Sequence, residues 1–73
     1  MKQINADRIN WAVVCVHEFA RHKGLTLKAA FQYLYAFGGI AFLKEHYEIE
    51  HTLSLEDTVE DLNAVCRNEG GNL

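Results

Sequence analysis

Residues 24–39 read GLTLKAAFQYLYAFGG, in which helix-favouring and aromatic residues stand between one glycine and a glycine pair. Thr26 is a good N-cap for a helix, and glycine readily takes the left-handed backbone conformation that closes one. The stretch therefore predicts a helix over residues 27–37 that ends at the Gly38–Gly39 pair. Apolar residues cover most sides of this helix, which predicts that it lies at the centre of the fold.

Helix signals of the same kind flank this stretch. Asp7 and Ser54 are good N-caps, while Gly24 and the Gly70–Gly71 pair are suited to ending helices. The further predicted helices span residues 7–23, 40–46 and 55–68, the second of them short. Residues 47–53, YEIEHTL, alternate apolar and polar side chains. They predict an extended connector, because a single strand would have no partner.

The length of 73 residues is enough for one small domain and too short for a second core. A hydrophobic fraction of 49% is too high for a disordered chain, and no apolar run reaches the roughly 18 residues of a membrane helix. We therefore predict one all-α domain over residues 1–73, a compact bundle of about four helices joined by glycine turns and one extended connector. The N-terminus resembles no secretory signal, which favours a cytoplasmic location with Cys15 and Cys66 reduced.

The first predicted helix carries two apolar surfaces. Its core-facing stripe is formed at helical spacing by Ile9, Ala12, Val13, Val16, Phe19 and Ala20. Trp11 and Val14 point away from that stripe, among charged side chains, and form a second, smaller apolar patch. Aromatic side chains dominate the energetics of many protein interfaces, so this patch is a candidate partner-binding surface.

The last predicted helix is strictly amphipathic. Leu55, Val59, Leu62 and Cys66 form its narrow apolar stripe, and Glu56, Asp57, Glu60 and Asp61 line the opposite arc. Residues 45–73 contain eight acids and one base, whereas residues 1–44 contain six bases and two acids. The acidic arc is a second candidate surface, for a basic partner, although charged helix faces often serve solubility alone.

The segment that invites comparison with a zinc site is His17-Glu18-Phe19-Ala20-Arg21-His22. An HExxH motif places its histidines four apart on one helix face, whereas here they are five apart and diverge. His46 and His51 have no third ligand beside them. No glycine-flanked serine and no phosphate-binding glycine loop occurs, so we expect no catalytic residues, no metal and no cofactor, and hence no enzyme.

A helix-turn-helix is an alternative interpretation of residues 20–32. Ala20, Gly24 and Thr26 follow its pattern of small residue, turn glycine and cap. Arg21, Lys23, Lys28 and Gln32 could then face DNA. Any two helices joined by a glycine turn show this pattern, and a net charge of −3 opposes phosphate binding, so DNA binding is not favoured.

Several short motifs resemble those of a family of small bacterial domains of unknown function. They are Tyr35-Ala36-Phe37-Gly38-Gly39-Ile40, the Leu43-to-Tyr47 step, the pair His51-Thr52, and Val59-Glu60-Asp61-Leu62 in the last helix. Genes of that family often stand beside one for an ADP-ribosyltransferase-like protein. The resemblance therefore implies an antitoxin-like or accessory partner of such a toxin.

The same resemblance gives Tyr47, His51 and Thr52 a candidate common role as a site in the connector. The alternative is structural. In that interpretation Thr52 and Ser54 cap the last helix, while Tyr47 and His51 pack the connector down with the His ring bonded to a backbone carbonyl. The structural interpretation is favoured.

We therefore expect a small protein-interaction module whose protein partner is encoded by a neighbouring gene, and no membrane partner. The candidate partner-binding residues are Trp11, Val14, Glu56, Asp57, Glu60 and Asp61. A DNA-binding regulator and a self-associating homo-oligomer are the alternatives. A domain of this size without a disulfide or metal is often marginal alone, which favours a partner or oligomerisation.

Overall fold

The computed structural model describes residues 6–73 and contains five helices over that range. They are α1 (Ala6–Lys23), α2 (Leu27–Ala36), α3 (Gly39–Glu45), α4 (Tyr47–Glu50) and α5 (Leu55–Asn68). No strand occurs within residues 6–73, so the all-α bundle is confirmed. Helix α1 packs against α2, α3 and α5, and α3 also contacts α2 and α5. None of the helices in this range is both long and apolar enough to cross a membrane.

Two of the predicted N-caps are confirmed by their hydrogen bonds. The Thr26 hydroxyl accepts the Ala29 amide at 3.1 Å, and the Ser54 hydroxyl accepts the Asp57 amide at 3.0 Å. Asp7 is not a cap, because α1 begins one residue earlier. It lies in the first turn of α1, where a negative charge suits the positive end of the helix dipole.

The predicted extended connector is wrong, because residues 47–50 form the short helix α4. The Glu50 amide donates to the His46 carbonyl at 2.8 Å. With no strand beside it in the described chain, this segment meets its backbone hydrogen-bonding needs through local turns. Residues two apart lie on opposite sides of a helix, so Tyr47 packs against α1 while Ile49 is exposed.

The core takes one fully buried large side chain from each of the four longer helices. These side chains are Phe19 from α1, Leu34 from α2, Leu43 from α3 and Leu62 from α5. The apolar stripe predicted for the last helix is confirmed, because Val59, Leu62 and Cys66 are buried and Leu55 packs against them.

The buried face of α1 is rotated from the predicted stripe toward Cys15, which is fully buried. Ile9 and Val13, assigned to the core from their spacing, are both exposed. Helical periodicity identifies an apolar stripe but not how much of it the neighbouring helices cover. The stripe residues that are buried as predicted are Val16, Phe19 and Ala20.

The predicted outward orientation of Trp11 is also wrong. Its side chain is partly buried against the core. Its ring meets the Tyr47 ring edge-on, with the centroids 5.4 Å apart. Helix α4, absent from the sequence-based prediction, supplies the tyrosine that covers this side of α1.

Helix α2 is less central than its composition predicts. Ala30 and Leu34 are buried, and the Tyr33 ring stacks on Phe19 with centroids 5.9 Å apart. Leu27 and Phe31, which share the predicted core face, are exposed. Only one side of α2 is therefore covered by other helices.

The close approach of α3 to its neighbours depends on Gly39. A Cβ atom at this position would lie 2.7 Å from Leu34 Cδ2 and 3.2 Å from Cys66 Sγ. The preceding Gly38 has a φ of +85°, which lets the chain turn from α2 into α3 through only two residues, Phe37 and Gly38.

We expect Gly39→Ala to lower the free energy of unfolding by about 2 kcal/mol, because the added methyl group overpacks the contact with Leu34. Helix propensity alone would act in the opposite direction by about 1 kcal/mol. The control is the reverse exchange Ala41→Gly at an exposed position of α3, which should lose about 1 kcal/mol through propensity. Urea denaturation measures both, and a Gly39→Ala variant as stable as the wild type would contradict the packing account.

Glu50, the last residue of α4, is an acid within the core and is only 6% exposed. Its Oε1 is buried without a hydrogen-bond partner among the described residues. Burial and then the neighbouring Asp61 carboxyl raise the pKa of Glu50 to about 7, and Asp57 acts in the same direction. The Thr58 hydroxyl donates to the backbone carbonyl of Glu50 at 3.4 Å and so joins α4 to α5.

Stability should consequently fall as pH rises through about 7, the raised pKa of Glu50. The folded protein retains a proton that the unfolded chain releases near the ordinary pKa of 4.5, so the stabilisation is complete below that value and lost above about 7. Glu50→Gln should remove this loss, so near pH 8 its free energy of unfolding should exceed that of the wild type by up to roughly 3 kcal/mol. Urea denaturation across this pH range measures the difference.

The exposed Glu45→Gln exchange in α3 is the matched control and should leave the pH dependence of unfolding unchanged. The informative quantity is the difference between each variant and the wild type, because the rest of the chain is the same in both. Parallel stability curves for the wild type and Glu50→Gln would show that Glu50 is not the responsible group.

Candidate interaction surface

An open apolar depression of about 570 Å³ lies between α1, α2 and α3. Its lining includes the buried Val16 and the exposed Val13, Leu27 and Phe31. The full lining is Ala12, Val13, Val16, Leu27, Lys28, Phe31 and Ile40. Lys28 is the one charged residue in this set.

A second depression, of about 420 Å³, adjoins the first toward α4. The two share Ala12 and Val13, so they form one continuous surface, called here the α1–α3 cleft. The lining of the second part is Arg8, Ile9, Ala12, Val13, Leu43, Lys44 and Tyr47. Helices α1, α2 and α3 supply nearly all of this surface, which places it on the regular framework of the fold.

Large apolar side chains of the cleft face solvent. Val13 is 47% exposed, and Ile9, Leu27 and Phe31 are exposed to a similar extent. Tyr35, which is 70% exposed, stacks on Phe31 with ring centroids 6.1 Å apart and extends the apolar surface along α2. Contiguous exposed apolar surface of this kind marks an interaction site more often than scattered single residues do.

Basic side chains border the cleft at both ends. Lys28 lies at the α2 end, and Arg8 and Lys44 lie at the α4 end. Arg8 donates to Glu48 Oε2 at 3.0 Å and lies over the Tyr47 ring, 4.8 Å from its centroid. None of the described lining residues is acidic, and Glu48 pairs with Arg8 from outside the lining, so Lys28 and Lys44 supply the positive charge of the border.

Sequence reasoning missed this surface because it assigned the apolar residues of the cleft to the core. Ile9, Val13, Leu27 and Phe31 all have core-like spacing. The signal that could have revealed the cleft is the surplus of apolar residues on α2, which exceeds what one buried helix face requires.

The two apolar residues predicted to bind a partner occupy different environments. Val14 is 44% exposed but does not line the cleft. Trp11 is partly buried behind Tyr47. The structure therefore does not bring Trp11 and Val14 together as one outward patch, and a partner-binding role for either stays a prediction.

The predicted acidic arc is mostly solvent-exposed. Glu56, Asp57 and Glu60 are exposed on α5, whereas Asp61 is partly buried beside Glu50. None of the four lines the α1–α3 cleft. The acidic arc and the basic-bordered cleft are thus separate surfaces.

The contacts of Tyr47 and His51 agree with the structural interpretation of the connector, whereas the contact of Thr52 differs from it. His51 Nδ1 lies 2.6 Å from the Tyr47 carbonyl oxygen, and the two rings stack with centroids 4.3 Å apart. The Thr52 hydroxyl donates to the Ile49 carbonyl at 2.7 Å, so it closes α4 and does not cap α5. These contacts hold Tyr47 where it can cover Trp11 and line the cleft.

The histidine segment of α1 forms an ion cluster. Glu18 pairs with Arg21, and His22 Nε2 lies 3.3 Å from Glu18 Oε2. The Arg21 hydrogen bond, together with its charge, lowers the pKa of Glu18. Within residues 6–73, no group of three or more His, Cys, Asp or Glu side chains could hold a metal ion.

Both cysteines are buried free thiols. Burial, and to a smaller extent the charge of Glu50, raises the pKa of Cys15 to about 12. Burial also raises the pKa of Cys66, and a hydrogen bond with the Gly39 backbone lowers it by a smaller amount. Raised thiol pKa values suppress the reactive thiolate, so these residues serve packing.

The family described as "Protein of unknown function (DUF3791)" matches residues 10–69. No curated protein is significantly similar to the chain, and neither is any solved structure. The matched segment runs from the second turn of α1 to the end of α5 and includes most of the α1–α3 cleft. Since the match covers well over half of the chain, the protein belongs to the DUF3791 family.

Proposed function

We propose that this protein is an interaction module that binds a protein partner through the α1–α3 cleft. The supporting observation is the group of exposed apolar side chains on two packed helices, Ile9 and Val13 of α1 and Leu27 and Phe31 of α2, which line one cleft. Covering such side chains is favourable, and fully burying a residue of this size contributes about 1.5 to 3 kcal/mol. A cleft on helices also loses less conformational freedom on binding than one formed by loops.

The proposed partner is the ADP-ribosyltransferase-like protein whose gene stands beside those of the family resembled by this sequence. Membership in the DUF3791 family supports the resemblance to a family of small domains of unknown function. In this proposal the protein acts as an antitoxin-like or accessory subunit. It would neutralise the enzyme by occupying a surface that the enzyme needs for its substrate.

The acidic arc of α5 has a separate role in this proposal. Its exposed carboxylates Glu56, Asp57 and Glu60 lie away from the cleft lining and could meet a basic surface of the partner. Such charges mainly raise the association rate and its salt sensitivity, while the apolar cleft supplies most of the affinity.

DNA binding receives little support from the contacts of α1 and α2. Arg21 pairs with Glu18, and Lys23 Nζ lies 5.8 Å from the centroid of the Phe19 ring. The exposed surface of the helix that would enter DNA carries Phe31 and Tyr35 beside Lys28 and Gln32, so Lys28 is its one basic residue. Phosphate binding depends mainly on lysine and arginine, so this surface is better suited to a protein.

Mixing the purified chain with the product of the adjacent ADP-ribosyltransferase-like gene should give a complex that co-elutes in size-exclusion chromatography. Titration calorimetry at several temperatures should show a negative heat-capacity change, because apolar surface is buried. Growth inhibition caused by expressing the enzyme should be relieved when the chain is co-expressed. A chain that elutes unchanged and gives no relief would refute this partner.

Two controls separate the alternatives. Sedimentation of the isolated chain reports self-association, and a concentration-dependent dimer would identify a second copy as a competitor for the cleft. A gel shift with the DNA upstream of the gene pair, at low salt, tests the DNA-binding regulator. Retardation of that DNA by the isolated chain would favour the regulator.

A further inference from the structure

We infer that the α1–α3 cleft accepts an amphipathic helix of the partner, with an apolar face and acidic residues along its edges. This inference rests on the proposed function and specifies the chemistry of the segment that is bound. It follows from the two adjoining depressions of the cleft, from the backbone hydrogen bonds already made within its lining helices and from the charges at its border.

The cleft offers two adjoining depressions to the side chains of a bound helix. Its two depressions adjoin at Ala12 and Val13. An amphipathic helix presents apolar side chains at i, i+3 or i+4, and i+7, which are about one turn, or 5.4 Å, apart along its axis. Successive anchors of one helix could therefore enter the two depressions in turn.

The backbone of the cleft favours a helical ligand over an extended one. Its lining residues belong to helices α1 to α4, whose interior amides and carbonyls already bond within each helix. No strand edge is available in the described chain. An extended segment would bring unpaired backbone groups onto an apolar surface, whereas a helix satisfies its own backbone.

The border charges favour acidic flanking residues. Lys28 and Lys44 lie at opposite ends of the lining, and within residues 6–73 neither forms a salt bridge. All residues of the cleft come from positions 8–47, so the surface is built mainly from the basic part of the sequence. Glutamate or aspartate beside the apolar anchors would pair with these lysines, and a basic helix would be repelled.

A second copy of this chain is a poorer occupant. The acidic helix that it could offer is α5, but Val59, Leu62 and Cys66 of that helix are buried in its own core. Two clefts placed face to face would bring the Lys28 and Lys44 side chains of both copies together. A different protein with a free acidic amphipathic helix would not have to expose its own core, and it would not bring like charges together.

The test is a selection of displayed helical peptides, randomised on their solvent-facing positions, against the wild-type chain. We expect enrichment of peptides with apolar residues at i, i+3 or i+4, and i+7, flanked by Glu or Asp. A synthetic peptide of the enriched sequence then serves as the probe in fluorescence polarisation.

Val13→Gln and Val14→Gln are the matched pair for this probe. The two valines are neighbours on α1 with exposures of 47% and 44%, and only Val13 lines the cleft. Val13→Gln should weaken peptide binding about tenfold, and Val14→Gln should change it less than about twofold. Thermal melting checks that both variants fold, and the exposed Leu27→Gln repeats the test from α2.

Lys44→Gln should weaken the same peptide about threefold and reduce the salt dependence of its binding. Ala64→Glu on the exposed side of α5 changes the net charge equally, lies outside the cleft lining, and should have little effect. The inference is overturned if no helical peptide is enriched, if the enriched peptides carry basic flanks, or if Val13→Gln binds like the wild type.

These outcomes are distinct from those of the proposed function. Enriched acidic helices that respond to Val13→Gln support the inference even if the ADP-ribosyltransferase-like protein does not bind. Conversely, a complex with that protein together with a failed peptide selection leaves the proposed function in place and removes the helical occupant.

Discussion

The fold depends on one small shared core, in which Phe19, Leu34, Leu43 and Leu62 are contributed by four different helices and are each almost wholly buried. Gly39 lets α3 approach Leu34 and Cys66 closely enough to complete this cluster. A chain of 73 residues cannot cover both faces of each helix, because its surface is large relative to its volume. The helices therefore bury one another mainly around this cluster, and apolar residues farther along α1 and α2 remain exposed.

The apolar residues that remain exposed lie side by side rather than scattered over the surface. Ile9 and Val13 of α1 meet Leu27 and Phe31 of α2 across one continuous cleft. Tyr47 extends this surface because α4 is fixed by its own hydrogen bonds and by the contact with Trp11. The same packing that leaves the cleft open also holds its walls in place.

The charge asymmetry of the sequence becomes a separation of surfaces in the structure. The basic first part of the chain builds the cleft and its border, and the acidic last part builds the outer face of α5. Glu50 is the exception, because it carries an acid into the core next to Asp61. That arrangement is tolerated when the Glu50 carboxyl holds a proton, which links the α4–α5 junction to pH.

The sequence alone determined the helical class, the caps at Thr26 and Ser54, and the buried stripe of α5, because these depend on neighbours within about four positions along the chain. Only the tertiary structure decided that residues 47–50 form a helix, that Trp11 turns inward, and that Val13 faces solvent. Each of these depends on which helix lies beside the residue in space. Periodicity identifies the apolar side chains that share one face of a helix. Whether such a side chain is buried in the core or left exposed as interface depends on the small number of helices available to cover it.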